Sequence, residues 1–114
     1  MIAHLVLFKP PVDLSPEVRR RLVTSFEAAL RQIPSIRRAR VGRRVTHGRG
    51  YEALMTVDYQ FVAVLEFDDQ AGLNAYLEHP AHQQLGSHFF DMFEQALIYD
   101  FDLAEGATSL AALL

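Results

Sequence analysis

Two short runs constrain this chain more than any other feature. IAHLVLF (Ile2–Phe8) and FVAVLEF (Phe61–Phe67) are apolar at nearly every position. A strand sends successive side chains to opposite faces, so a sheet with one face in water alternates apolar and polar residues. Neither run alternates. In the first, His4, Val6 and Phe8 share one face, and Ala3, Leu5 and Leu7 share the other. Both strands therefore require cover on both faces.

The rest of the chain supplies cover for one face. LSPEV (Leu14–Val18) opens a helix, with Ser15 as N-cap, Pro16 at the first helical position and Glu17 against the positive end of the dipole. Val18, Leu22, Phe26, Ala29 and Ile33 recur at helical spacing as its inner stripe, and Pro34 ends it. Ile36–Thr46 alternates apolar residues with arginine and predicts a strand with one solvated face; HGRG (His47–Gly50) is a loop. Tyr51–Tyr59 is compatible with an extension of either neighbouring strand. Asp68 and Asp69 precede a short helix over Gln70–Leu77, and Pro80 starts another with Leu85, Phe89, Met92, Phe93 and Ala96 inward. Leu97–Phe101 is a final strand, and AEGATSLAALL is a tail without an assigned shape.

The order β-α-β-β-α-β is that of an α+β, ferredoxin-like protomer: an antiparallel sheet with helices on one face. That plan leaves the second sheet face bare. A contiguous apolar face marks an interaction surface, and a second copy related by a twofold axis is its default occupant. The pattern alone predicts a homodimer.

Composition removes several function classes. The chain has 114 residues, enough for one domain, and no cysteine, so thiolate and disulfide chemistry are excluded. Its net charge of −3 gives no global field for nucleic acid. Arg37, Arg38, Arg40, Arg43 and Arg44, with Arg19–Arg21, lack interleaved aromatics and read as a charged strand edge. No run approaches the roughly 20 apolar residues of a membrane span, and MIAHLVLFKPP lacks the marks of a secretion signal. A soluble cytoplasmic protein is expected, with no nucleic-acid or membrane partner. There is no glycine-rich phosphate loop and no nucleophile elbow, and no cofactor is expected.

YLEHPAH (Tyr76–His82) holds the residues most suited to chemistry. His79 sits where an N-cap belongs, Pro80 at the first helical position and His82 at the third. The positive helix end biases His82 toward neutral, the form that accepts a proton. Capping alone also explains the pair. A metal reading would join His79 and His82 with Glu78 or His88, but the break at Pro80 separates the two histidines from one helix face.

HLVLFK at the start, IPSIRRARVG after the first helix, YLEHPAH and the closing ALIYDF together resemble the stress-responsive dimeric A/B barrel (Dabb) family. The resemblance spans about residues 1–103, leaving 104–114 as a tail without a counterpart. It implies a protomer whose sheet pairs with a partner's to close a dimeric α/β barrel. It also implies that His4 faces the helices, and that Tyr76, His82 and His4 fall on the site positions of a polyketide-cyclising member. Phe26, Phe61 and Phe93 stand where that member carries tyrosine, histidine and tryptophan, so its apolar lining is kept while polar handles are lost.

The expectation is a homodimer of stress-response type that binds a small apolar or aromatic molecule between sheet and helices. Val6, Phe8, Leu22, Phe26, Phe61, Leu85 and Phe93 would line the pocket. If the protein turns over a substrate, the expected reaction is a cyclisation or isomerisation by proton transfer. His82 would then be the general base, and Tyr76 and His4 would orient or polarise the substrate. A structural assembly protein without a ligand is the remaining class.

Overall fold

A computed structural model of the protein describes residues 1–92 and 95–114. The elements are β1 (Ile2–Lys9), α1 (Pro16–Gln32), β2 (Arg38–Arg43), a 3-10 turn (Gly50–Leu54), β3 (Phe61–Phe67), α2 (Gln70–Glu78), α3 (Pro80–Met92), β4 (Gln95–Asp102) and α4 (Gly106–Leu113). The strands form one antiparallel sheet in the order β2-β3-β1-β4. This is the ferredoxin-like arrangement expected from the element order, with the two doubly apolar strands at its centre.

Register decides which side chains share a face. His4 lies opposite Leu65 of β3 and Asp100 of β4, and Phe8 lies opposite Phe61 and Ala96. These residues, with Ile2, Ala63 and Phe67, look toward the helices. The core there gathers Ala29 and Ile33 of α1, Leu65 and Phe67 of β3, Leu73 and Tyr76 of α2, and Ala81 of α3. The opposite face carries Leu5, Leu7, Val62 and Val64, all half-buried, and Leu97, Tyr99 and Phe101, all exposed.

The helix start at Ser15 forms as its chemistry dictates. The Val18 N–H donates to Ser15 Oγ at 3.1 Å, and Pro16 occupies the first turn, where its missing N–H costs nothing. Asp69 caps α2 in the same manner, accepting from the Gly72 N–H at 2.8 Å, while Asp68 pairs with Arg37 at 2.8 Å.

Four segments differ from the sequence reading. β2 is shorter than Ile36–Thr46, because Ile36 turns in against the core. Its ladder bonds run only from the Arg37 N–H to the Arg44 N–H. Residues 51–59 form no strand. The Glu52 carboxylate instead accepts the N–H groups of His47 and Gly48, holding the HGRG loop on a 3-10 turn in place of a ladder. Ala96, expected inside the last core helix, is the second residue of β4, opposite Phe8. The tail is helical, as α4.

Phe67 is completely buried, so Phe67→Ala should cost about 3–5 kcal/mol, against about 1 kcal/mol for the cap variant Ser15→Ala. Chemical denaturation of the two variants checks both values and their order.

Candidate functional site

The α2–α3 junction is built by one residue with two duties. His79 closes α2, its N–H donating to the Tyr76 carbonyl at 3.2 Å. It then opens α3: its carbonyl accepts from the His82 N–H at 3.0 Å and the Gln83 N–H at 3.1 Å, and its ring Nδ1 accepts from the Ala81 N–H at 3.0 Å. That capping bond uses the Nδ1 lone pair of His79, so in the neutral ring its Nε2 carries the proton. The His82 Nδ1–H donates to the Leu77 carbonyl at 3.1 Å. Nε2 is then the nitrogen that carries a lone pair.

Tyr76, in the last turn of α2, brings three elements together. Its ring lies 4.4 Å from that of His82, 5.2 Å from Phe67 and 5.6 Å from His4, between centroids. His4 is anchored from its other side, Nδ1 lying 2.6 Å from Asp100 Oδ1 across the β1–β4 pair. A carboxylate only accepts, so the proton of this bond sits on His4 Nδ1. The three residues singled out in the sequence thus form one connected cluster, Asp100–His4–Tyr76–His82. Among the described residues, no hydrogen bond engages His82 Nε2, Tyr76 Oη or His4 Nε2.

Burial sets the protonation states. It holds the His82 imidazole below its usual value, and the nearby His4 adds to the effect, while the hydrogen bond to Leu77 opposes it. The direction agrees with the sequence argument, but the leading cause is desolvation. Burial, with the charge of Asp100, pushes the Tyr76 hydroxyl up to about 12. Tyr76 therefore stays a proton donor in hydrogen bonds at any ordinary pH, beside an imidazole favoured as an acceptor.

Of the expected pocket residues, Phe8 stacks on Phe61 at 5.7 Å and meets Phe89 edge-on at 5.5 Å. Phe26 and Leu85 pack on the core, and Val6 and Leu22 are half-buried. Phe93 lies outside the described residues. Two cavities lie elsewhere. One, of about 300 Å³, is flanked by Leu14, Val18, Arg21 and His88. The other, of about 320 Å³, is flanked by Arg43, Arg44, Asp58 and Phe61. Neither is lined by His4, Tyr76 or His82.

Two polar groups escaped the sequence reading. Asp100 sits in the closing ALIYDF, and only its register against His4 shows what it does. Ser25, on the inner face of α1 one turn before Ala29, is buried with its Oγ 2.6 Å from His88 Nδ1 on α3.

The fold is a two-layered ferredoxin-like protomer, helices on one face of the sheet, with a histidine–tyrosine cluster between the layers. The family model for the stress responsive A/B barrel domain matches residues 2–103, and the chain belongs to that family. A comparison with curated protein sequences finds no match. Among solved structures, the Arabidopsis thaliana protein At3g17210 superposes with a TM-score of 0.76 at 18% identity, covering 94% of this chain and 99% of that one. A dimeric ferredoxin-like protein from Thermobifida fusca does so at 0.68 and 22% identity, covering 90% of each chain. The hydroxynitrile lyase of Passiflora edulis gives 0.73 at 14% identity, covering 92% and 94%. Among the described residues, no helix is long and apolar enough to cross a membrane.

The two shifts fix a pH profile. His82 has a lower value folded than unfolded, so below the usual 6.5 the unfolded chain takes up the proton first and stability falls on acidification. Tyr76 is raised, so its contribution holds up to pH 10.0 and is lost between there and about 12. Ring-proton NMR should show His82 titrating below 6.5, and His82→Phe should flatten the acid limb of a stability–pH curve. A His82 midpoint at or above 6.5 would contradict the burial argument.

Proposed function

We propose that this protein is a homodimeric, stress-response-type member of its family that binds a small apolar or aromatic molecule at the His82–Tyr76–His4 cluster. The observation that carries the reading is the pairing of opposite hydrogen-bonding roles between a buried tyrosine and a half-buried histidine. His82 has one ring nitrogen held by a backbone carbonyl and the other uncommitted, while Tyr76 is kept protonated and has an unbonded hydroxyl. A phenol on an apolar body can use both the donor and the acceptor, and a carbonyl can use the donor. Phe26 and Leu85, which pack on the same core as Tyr76, suit that body, and Phe8 and Phe61 lie further along the same sheet face.

A second reading is a proton-transfer enzyme, a cyclase, isomerase or lyase without a cofactor. The uncharged His82 favours it, since a general base must be unprotonated at working pH. In that reaction His82 Nε2 takes a proton from carbon next to a carbonyl, Tyr76 donates a hydrogen bond to the carbonyl oxygen, and Asp100 holds His4 in place. The hydroxynitrile lyase among the structural neighbours supports the idea that this fold accommodates a lyase site.

Dimerisation has its own support. The protomer exposes 8150 Å², whereas a compact monomer of 12.9 kDa is expected to expose about 6,300 Å². The excess is more than the roughly 800 Å² per partner of a standard interface. The bare sheet face supplies an apolar surface for it, and the Thermobifida neighbour is described as dimeric.

Native mass spectrometry with a panel of aromatic and polyketide-like compounds tests the ligand. At least one should bind once per protomer, and Tyr76→Phe should weaken it about tenfold, the worth of one hydrogen bond. Binding by no compound would leave a purely structural role. Sedimentation tests the dimer: Tyr99→Arg, at an exposed position of β4, should give a folded monomer.

A further inference from the structure

We propose that α4 is an arm that lies on a second copy of this chain, extending the interface formed by the bare sheet face. The proposal rests on the dimer reading above and adds to it a segment outside the family match, which ends at residue 103.

α4 does not cover its own protomer. Every residue from Gly106 to Leu114 is exposed except Ser109, which is half-buried with its hydroxyl bonded to the Glu105 carbonyl. The segment GATSLAALL contains no charged residue, and Leu110, Leu113 and Leu114 are 56%, 71% and 96% exposed. A helix of eight residues is too short to persist in water on its own propensity. A chargeless one with leucines in solvent requires an apolar surface to lie on.

Its point of departure is fixed. The Leu103 N–H donates to the Met1 carbonyl at 2.9 Å, tying the end of β4 to the start of β1. Gly106 then turns the chain with φ of 80°, a left-handed conformation that favours glycine. The helix therefore leaves the sheet at a defined corner.

Continuity identifies the occupant. Leu97, Tyr99 and Phe101 alternate along β4 on its open face, Leu103 follows just past the strand's end, and all four are exposed. This apolar stripe runs down the edge strand and continues into the leucines of α4, so one partner surface can cover both. A second copy offers such a surface in its own open face, and twofold symmetry then places two arms reciprocally. A lipid surface fits less well, because interfacial helices carry Lys or Arg on their polar side and α4 has neither.

The test compares the full chain with one ending at Ala104, and with the double variant Leu110→Glu, Leu113→Glu, by sedimentation over a concentration series. Both changes should raise the dimer dissociation constant at least tenfold while circular dichroism keeps the sheet signal. Isotope-filtered NMR of a mixed-label dimer should show contacts from the Leu110 and Leu113 methyls to the other copy. A full chain that is monomeric at every concentration overturns the dimer reading and the arm with it. A dimer that Tyr99→Arg disrupts but loss of residues 105–114 leaves unchanged overturns the arm alone. Methyl contacts confined to one copy do the same, as does a drop in affinity only when liposomes are present.

Discussion

The structure depends on a central strand that is apolar on both faces. β1 pairs with β3 on one side and β4 on the other, so it cannot be moved to an edge, and its two faces need separate cover. The covalent plan provides only one. The two crossovers carry α1 and the α2–α3 pair to the same side of the sheet. Ile2, His4, Val6 and Phe8 are enclosed there, while Leu5 and Leu7 join Val62, Val64 and Tyr99 on a surface with no helix over it. The proposed homodimer and the proposed α4 arm would each answer that imbalance.

The same one-sided burial makes the polar cluster chemically unusual. His4 and Tyr76 are almost sealed, and a buried polar group must be bonded or held uncharged. His4 is bonded to Asp100, which itself remains partly exposed. Tyr76 and His82 are pressed toward their uncharged forms, one as donor and the other as acceptor. An ordinary helix junction needs only the His79 cap and the Pro80 start. The further bond that fixes the His82 ring to Leu77 leaves its second nitrogen uncommitted, which capping does not require.

Much of this was legible residue by residue. Ser15-Pro16 and Asp69 announce their helices because capping is local: the side chain and the N–H it accepts are three residues apart. Tyr76 and His82 are six apart in one motif, so their proximity follows from a helix end. Asp100 was not legible in this way. It is 96 residues from His4, and only the strand register makes them partners. Ser25 was passed over because a serine on an apolar helix face looks like a gap in the stripe until His88 of another helix arrives beside it. The Glu52 bonds that keep residues 51–59 out of the sheet are local, yet their outcome against strand pairing is a balance that periodicity does not contain.

The sequence by itself determined the element order, the helix caps, the doubly apolar central strands and hence the need for a partner surface. Those follow from local chemistry and from a two-residue or 3.6-residue period, which act over a few positions. Only the tertiary structure decided that His4 meets Asp100, that Tyr76 stands between two histidines, and that burial rather than the helix end leads in keeping His82 neutral. Each of these depends on how far a group is taken from water and which distant strand lies beside it, and neither is a property of any short stretch of chain.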